Sequence, residues 1–234
     1  MNRHLLRSWR GRAVSTIGLA ASLLLLGCAG SRGPTPELPD PGDGEAPLIR
    51  VGILIHVEHA QVGGTGSFAV RDDEGIMVMG EANEVLNLVR EGNRILVHTA
   101  AGEFIDSADG VLRVDLRHPD GEMMVAGARY PGGLEVVPSP EGGLNVVNVV
   151  DVETYLRGVV PKEMGPGAYP EIEALRAQAV AARTYLLRNL GGFPEEGFDI
   201  CATPRCQVYD GMETEHALSD QAIRDTAGEV VIYD

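Results

Sequence analysis

Between residues 48 and 150 the apolar positions recur largely in twos. Leu112, Val114 and Leu116 alternate with Arg113, Asp115 and Arg117 and run into Pro119-Asp120-Gly121, the signature of a half-buried strand closed by a turn. Similar short runs cover 49–55, 76–79, 85–89, 95–97, 134–137 and 144–150, so this stretch predicts an antiparallel, β-rich architecture. The period then lengthens. Val152, Tyr155, Leu156 and Val159 fall at i, i+3, i+4 and i+7 behind Asp151, a good N-cap, which predicts a short helix running to about Val160 and stopped by Pro161. A second helix is expected from near Pro170, with Glu171 and Glu173 in its first turn, to Gly191-Gly192. Its stripe of Ile172, Leu175, Ala179, Ala182, Leu186 and Leu190, with Ala177 and Ala181 on the far side, predicts burial on more than one face. Gln178 and Tyr185 share one flank of that stripe, and Arg176 and Arg183 the other, because seven residues make nearly two turns. The fold class is α+β: a β-rich N-terminal part over 48–129, then a short helix, a loop and an Ala-rich helix within 130–234. No internal repeat or heptad run is visible.

The first 47 residues follow neither period. Arg3, Arg7, Arg10 and Arg12 precede an apolar stretch from Ile17 to Leu26, which is too short for a stable transmembrane helix and reads as the core of a signal peptide over 1–27. It ends Leu25-Leu26-Gly27-Cys28, a match to the lipobox, so cleavage before Cys28 and lipidation of its thiol and amine are expected to anchor the chain in a lipid bilayer. Residues 28–47, poor in large apolar side chains and rich in Pro, Gly and acidic residues, then serve as a tether. The expected location is the cell envelope, facing the periplasm, and Ala29 rather than Asp after the anchor suits an outer membrane.

The chain of 234 residues is 44% hydrophobic and carries a formal charge of −15. That is enough apolar material for a core, and loss of the four signal-segment arginines makes the remainder more acidic still. Such a charge argues against nucleic acid as a partner and against docking on anionic lipid by charge alone.

Candidate chemistry centres on Glu163, placed between the helices on the loop Pro161–Pro170. Held between Val160 and Met164, its carboxyl would lose solvent and its pKa would rise toward neutrality, as a general acid needs; the alternative is a solvated loop glutamate. Cys201 and Cys206, spaced C-x4-C in a chain expected to be exported, suit a small disulfide loop, free thiols or part of a metal site. His56-Val57-Glu58-His59 lacks a helical setting and reads as strand or surface histidines rather than a metal motif.

From about Tyr130 onward the chain resembles the SpoIID/LytB family. The resemblance rests on Leu134-Glu135-Val136, Val146-Val147-Asn148, Tyr155-Leu156-Arg157-Gly158-Val159-Val160-Pro161, Glu163-Met164, Glu173-Ala174-Leu175, Ala177 to Tyr185, Cys206-Gln207-Val208-Tyr209-Asp210-Gly211 and Thr226-Ala227-Gly228-Glu229-Val230. It implies a peptidoglycan lytic transglycosylase with Glu163 as the catalytic acid and then base, acting on glycan strands with no cofactor required. It further implies substrate-binding roles for Gln178, Arg183, Tyr185, Gln207 and Tyr209, with Gln207 and Tyr209 as an alternating pair on a strand. For Arg183 a buried structural ion pair is the competing reading, and for Tyr185 simple packing. Some members bind zinc through cysteines placed like Cys201 and Cys206 with a nearby histidine; here the nearest following histidine is His216 and the ligand set looks incomplete. The family domain commonly continues beyond the strand-like Val230-Val231-Ile232, which implies a short variant or a truncated chain. The other activity that the resemblance implies is that of a non-catalytic glycan-binding lipoprotein which enhances a cell-wall amidase.

Overall fold

The computed structural model describes residues 46–232 together with the backbone of Leu6–Arg7 (β1). The remaining residues of the signal segment, Cys28 and the tether up to residue 45 lie outside the described residues, as do the last two positions. Among the described residues no helix is long and apolar enough to cross a membrane.

The alternating stretch folds into two sheets. One runs β14 (Ile200–Cys201), β2 (Leu48–Val57), β13 (Leu144–Asp151), β12 (Gly133–Pro138), β9 (Leu112–Leu116), β4 (Phe68–Arg71), β5 (Ile76–Gly80). All its pairings are antiparallel except that of β14 with β2. The other runs β11 (Ala128–Tyr130), β10 (Met123–Val125), β3 (His59–Gly64), β6 (Val85–Glu91), β7 (Arg94–Thr99), β8 (Phe104–Asp109) and is antiparallel throughout. Strand β1 pairs with β15 (Val230–Val231). Leu112 and Val114 are buried while Arg113 is exposed, and Leu86, Leu88, Ile95 and Val97 fill the facing layer, so the period-two pattern selects the core face as expected.

Strand β13 is the exception that places the rest. Its residues from Leu144 to Asn148 are all buried, because both faces are covered. Leu144, Val146 and Val150 enter the main core, while Val147 packs with Phe198 and Cys201 beneath the segment 193–206. A strand sealed on both faces shows no alternation, which accounts for the run Val146-Val147-Asn148-Val149-Val150. The sheet crosses residue 130 without a break, since β12 pairs with β9 on one side and β13 on the other.

Three helices follow: α1 (Val152–Glu163), α2 (Ile172–Arg188) and α3 (Ala217–Asp225). The side chain of Asp151 caps α1 by accepting from the Thr154 N–H at 3.0 Å, as the sequence predicts. Pro161 does not stop it. The ring forfeits one bond to the preceding turn, but the helix closes three residues later with Met164 N–H donating to the Val160 carbonyl at 2.9 Å, so the loss falls in the final turn. Helix α2 starts after Glu171 rather than at Pro170 and ends at Arg188, short of Gly191. Leu175, Ala179, Val180, Ala182, Arg183, Leu186 and Leu187 are all buried, whereas Ala177 and Ala181 face solvent. The far side of α2 is thus open to solvent, contrary to the expected burial on more than one face; the buried residues form one broad face instead, wider than the expected stripe because it takes in Val180, Arg183 and Leu187.

Candidate active site

The extension of α1 through Pro161 moves Glu163 from a loop to the last residue of a helix. It is exposed, with Val160 turned into the core and Met164 half-buried, so it is not enclosed between those two side chains as expected. Among the described residues its carboxylate takes part in no ion pair and no side-chain hydrogen bond. The end of α1 is fixed from outside the helix. Lys162 pairs with Asp210 at 2.6 Å, Arg157 with Glu215 at 2.5 Å and Asp220 at 3.2 Å, and the Thr214 hydroxyl donates to the Gly158 carbonyl at 3.2 Å. Gly158 has no room for a side chain: a Cβ there would lie 2.5 Å from the Gly211 carbonyl oxygen and 2.6 Å from the Tyr209 ring.

Below Glu163 lies Tyr155, wholly buried on the preceding turns of α1. Its hydroxyl donates weakly to the Gln207 side-chain oxygen at 3.4 Å, and the Gln207 amide in turn reaches the Ala182 carbonyl on α2 at 3.4 Å. Burial pushes the Tyr155 phenol well above the ordinary tyrosine range, and the charges of Glu163 and then Tyr185 push it further the same way. Glu163 and Tyr185, exposed on two different helices, thus flank one buried phenol. Period counting assigns Tyr155 to the core stripe, where it belongs, but does not register its hydroxyl; a buried tyrosine needs a partner, and that was the available signal.

Gln207 and Tyr209 face the same side, as alternation predicts, yet they lie on an extended segment that is not a strand, and both are buried. The Tyr209 ring packs 4.8 Å from that of Tyr155 and 5.9 Å from that of Tyr130. Its hydroxyl donates to Asn148 Oδ1 at 2.8 Å, and Asn148 donates to the carbonyls of Pro131 and Gly133 at 2.7 and 3.0 Å. Burial raises the Tyr209 phenol well above its ordinary value. These two side chains form the floor under the site rather than its surface.

Arg183 is 0% exposed. It binds both oxygens of Glu153 and the Glu229 carbonyl, which is the structural ion pair rather than a groove residue. Gln178 is half-buried and makes no side-chain hydrogen bond among the described residues. Tyr185 is 40% exposed and lines a cavity of about 360 Å³ shared with Arg188, Phe193, Asp199, Arg205 and Cys206. Arg188 and Arg205 were not anticipated by the sequence reading.

Cys201 and Cys206 form a disulfide, so neither sulfur is a thiolate able to take zinc, and His216 Nδ1 is engaged in capping α3 by accepting from the Leu218 N–H at 3.2 Å. His56 meets two carboxylates, Glu196 at 3.0 Å on Nε2 and Glu141 at 3.5 Å on Nδ1. The ligand-type atoms of these three residues lie within 4.8 Å of one another, but the carboxylates address opposite ring nitrogens, a poor arrangement for a single ion. His59 begins β3 and takes no part.

Residues 140–233 match the family model described as SpoIID, Stage II sporulation protein. A protein of Brachyspira hyodysenteriae (strain ATCC 49526 / WA1), described as uncharacterized, is 40% identical over 111 residues, covering 46% of this chain and 28% of that protein. The chain thus spans little more than a quarter of the length of that relative. No solved structure matches the chain. The matched segment contains α1 with Glu163, the buried Tyr155 and Tyr209, the disulfide and the Arg183 ion pair, and over these residues the chain is similar to the SpoIID family.

Proposed function

We propose that the chain is a peptidoglycan lytic transglycosylase in which Glu163 acts as acid and then as base. The SpoIID family is linked to cell-wall lysis in general, and the finer reaction rests on one observation. Glu163 presents an exposed carboxylate, free of ion pairs among the described residues, and shares with the exposed Tyr185 the neighbourhood of the buried Tyr155. Such a group is available to a polymer lying across the two helices, and the polymer itself would supply the cover from water that the free protein lacks.

Hydrolysis of a glycosidic bond generally calls on two carboxylates, one for the leaving group and one for water or the sugar carbon. A transglycosylase needs one. The protonated Glu163 gives its proton to the oxygen bridging N-acetylmuramic acid and N-acetylglucosamine as the bond from that oxygen to the muramic acid C1 breaks. The muramic acid 6-hydroxyl then closes on C1 and returns its proton to the Glu163 carboxylate, restoring the acid and leaving a 1,6-anhydro end. Because the attacking hydroxyl is tethered to its target, the step gains from a high effective concentration, and no water is consumed. In this reading the chain acts from a lipid anchor at Cys28 on the periplasmic side of the envelope, and its partners are glycan strands.

The test is mass spectrometry of soluble products after the full chain is incubated with purified peptidoglycan, beside a Glu163→Gln control. Anhydro-muramic ends released by the wild type and absent with the control are the expected result. A folded chain that binds glycan yet releases no such ends would overturn the transglycosylase reading in favour of an amidase enhancer.

A further inference from the structure

The charge pairing of the protein leaves an anomaly beside the proposed site. Among the described residues nine of the thirteen arginines are engaged: Arg50, Arg71, Arg113, Arg129, Arg157, Arg176 and Arg183 form ion pairs, and Arg90 and Arg94 donate to carbonyls. Only Arg117, Arg188, Arg205 and Arg224 have neither. In a chain of net charge −15, carboxylates are plentiful, yet two of these four arginines line the same cavity, the one of about 360 Å³ that Tyr185 borders.

That cavity is built rather than incidental. Arg205 precedes Cys206, so the disulfide to Cys201 closes a short loop around it, and its guanidinium stacks 5.3 Å from the centre of the Phe193 ring. Phe193 is braced by Phe198 at 4.9 Å. Arg188 comes from the last turn of α2, one turn beyond Tyr185. The acidic residue in the lining, Asp199, is committed to the backbone: its two oxygens accept from the N–H groups of Gly191 at 3.1 Å and Arg50 at 2.9 Å. It also makes no ion pair within 4 Å of either arginine. Two forked cationic donors and two aromatic faces around a space the size of a small ligand suit an anionic sugar.

We propose that this cavity is a subsite for a carboxylate carried by the glycan, with Arg188 and Arg205 as its donors and Tyr185 and Phe193 as the surfaces against which the adjoining ring lies. The inference rests on the reading that the chain binds peptidoglycan glycan, and it adds to that reading a chemical selectivity. A net charge of −15 repels a polyanion overall, so binding is directed to the place where unpaired positive charge is concentrated. Two sources on the polymer carry this chemistry: the lactyl group of a bare muramic acid, and the free carboxylates of an attached stem peptide.

Binding, rather than turnover, tests the subsite and keeps its fate separate from that of the catalytic role. The full chain with Glu163→Gln, which keeps the ligand intact, is titrated with fluorescent tetrasaccharides of alternating N-acetylglucosamine and N-acetylmuramic acid. In one arm the lactyl carboxylates are free, in a second they are blocked as methylamides, and in a third they bear stem peptides. At least one carboxylate-bearing ligand is expected to bind about tenfold tighter than the blocked one, with the first or third arm identifying the source. Arg188→Ala and Arg205→Ala should each erase most of that preference, and Arg205→Lys should retain part of it. Both arginines are exposed, so an unchanged melting temperature accompanies the loss. Equal affinity for free and blocked ligands, or a preference that survives in the Arg188→Ala/Arg205→Ala double variant, overturns the subsite while leaving glycan binding standing. Failure to bind any of the three ligands overturns the glycan reading itself.

Discussion

The guanidinium of Arg183 and the carboxylate of Glu153 meet through two parallel bonds, Nε to Oε1 at 2.8 Å and Nη2 to Oε2 at 2.6 Å, with the arginine wholly buried. The same pair gathers the chain beyond α3: Arg183 Nη1 donates to the Glu229 carbonyl at 3.0 Å, and Glu153 Oε1 accepts from the Gly228 N–H at 3.1 Å. One ion pair thereby ties α1, α2 and the approach to β15 together. Breaking a buried pair from one side strands a charge and costs more than the pair itself contributes. Arg183→Ala should therefore destabilise the fold by about 3 kcal/mol or more, seen as a large drop in urea midpoint. An Arg183→Ala protein as stable as the wild type but weakened in glycan binding would return Arg183 to the groove.

Tyr209 offers a sharper separation of structure from recognition. Its hydroxyl satisfies Asn148 on the central strand β13, so Tyr209→Phe leaves a buried carbonyl-type oxygen without its donor, at a cost of about 1–3 kcal/mol. The melting temperature should fall, while glycan affinity of the folded variant stays at the wild-type level. The opposite outcome, reduced affinity at unchanged stability, would mean that the phenol reaches the sugar.

How far the sequence foretold this arrangement depends on whether the relevant contact is local. Strand β9 and helix α1 were legible because alternation at Leu112 and Val114, and the cap at Asp151, are written in adjacent residues. Strand β8 was not, since it is an edge strand whose Phe104 and Ile105 face solvent and so breaks the rule that links apolar to buried. Glu163 was legible as a residue through its motif but not in its setting, because a proline ordinarily ends a helix, whereas in the last turn the helix carries past Pro161. Arg183 stayed open between two readings until a partner thirty residues away, Glu153, decided it. Arg188 and Arg205 carry no signal at all in the sequence, since being unpaired is a property of three-dimensional neighbours.

Gly158 tests whether the site depends on close approach of α1 to its supporting loop. An added methyl there would meet the backbone of Gly211 and the ring of Tyr209 well inside contact distance. Neither is a flexible chain end. Gly158→Ala should thus cost about 1–3 kcal/mol through overpacking, despite the better helix propensity of alanine. Displacement of Tyr209 should also change the environment of Tyr155, which near-ultraviolet circular dichroism would report. A stabilised Gly158→Ala protein would show that helix propensity outweighs the clash, and that α1 can shift without disturbing the tyrosines.

The acid side of the stability profile should be set in part by Glu196, on the segment that covers the outer face of β13. Burial works to raise its pKa, but hydrogen bonds from Asn145 at 2.6 Å, from His56 at 3.0 Å and from Ser139 at 3.0 Å outweigh burial and hold the carboxyl below its ordinary value. The exposed Glu141 approaches the other nitrogen of the same imidazole. A carboxyl that releases its proton more readily in the folded chain than in the unfolded one stabilises the fold fully above the unfolded carboxylate range. That contribution disappears as the pH falls through the lowered folded value. Melting temperatures of the wild type and Glu196→Gln should thus differ most near neutrality and converge as the pH is taken from 7 to about 3. A gap that widened toward acid would show that Glu196 is protonated more easily in the folded protein, and that the three hydrogen bonds do not favour its charged form.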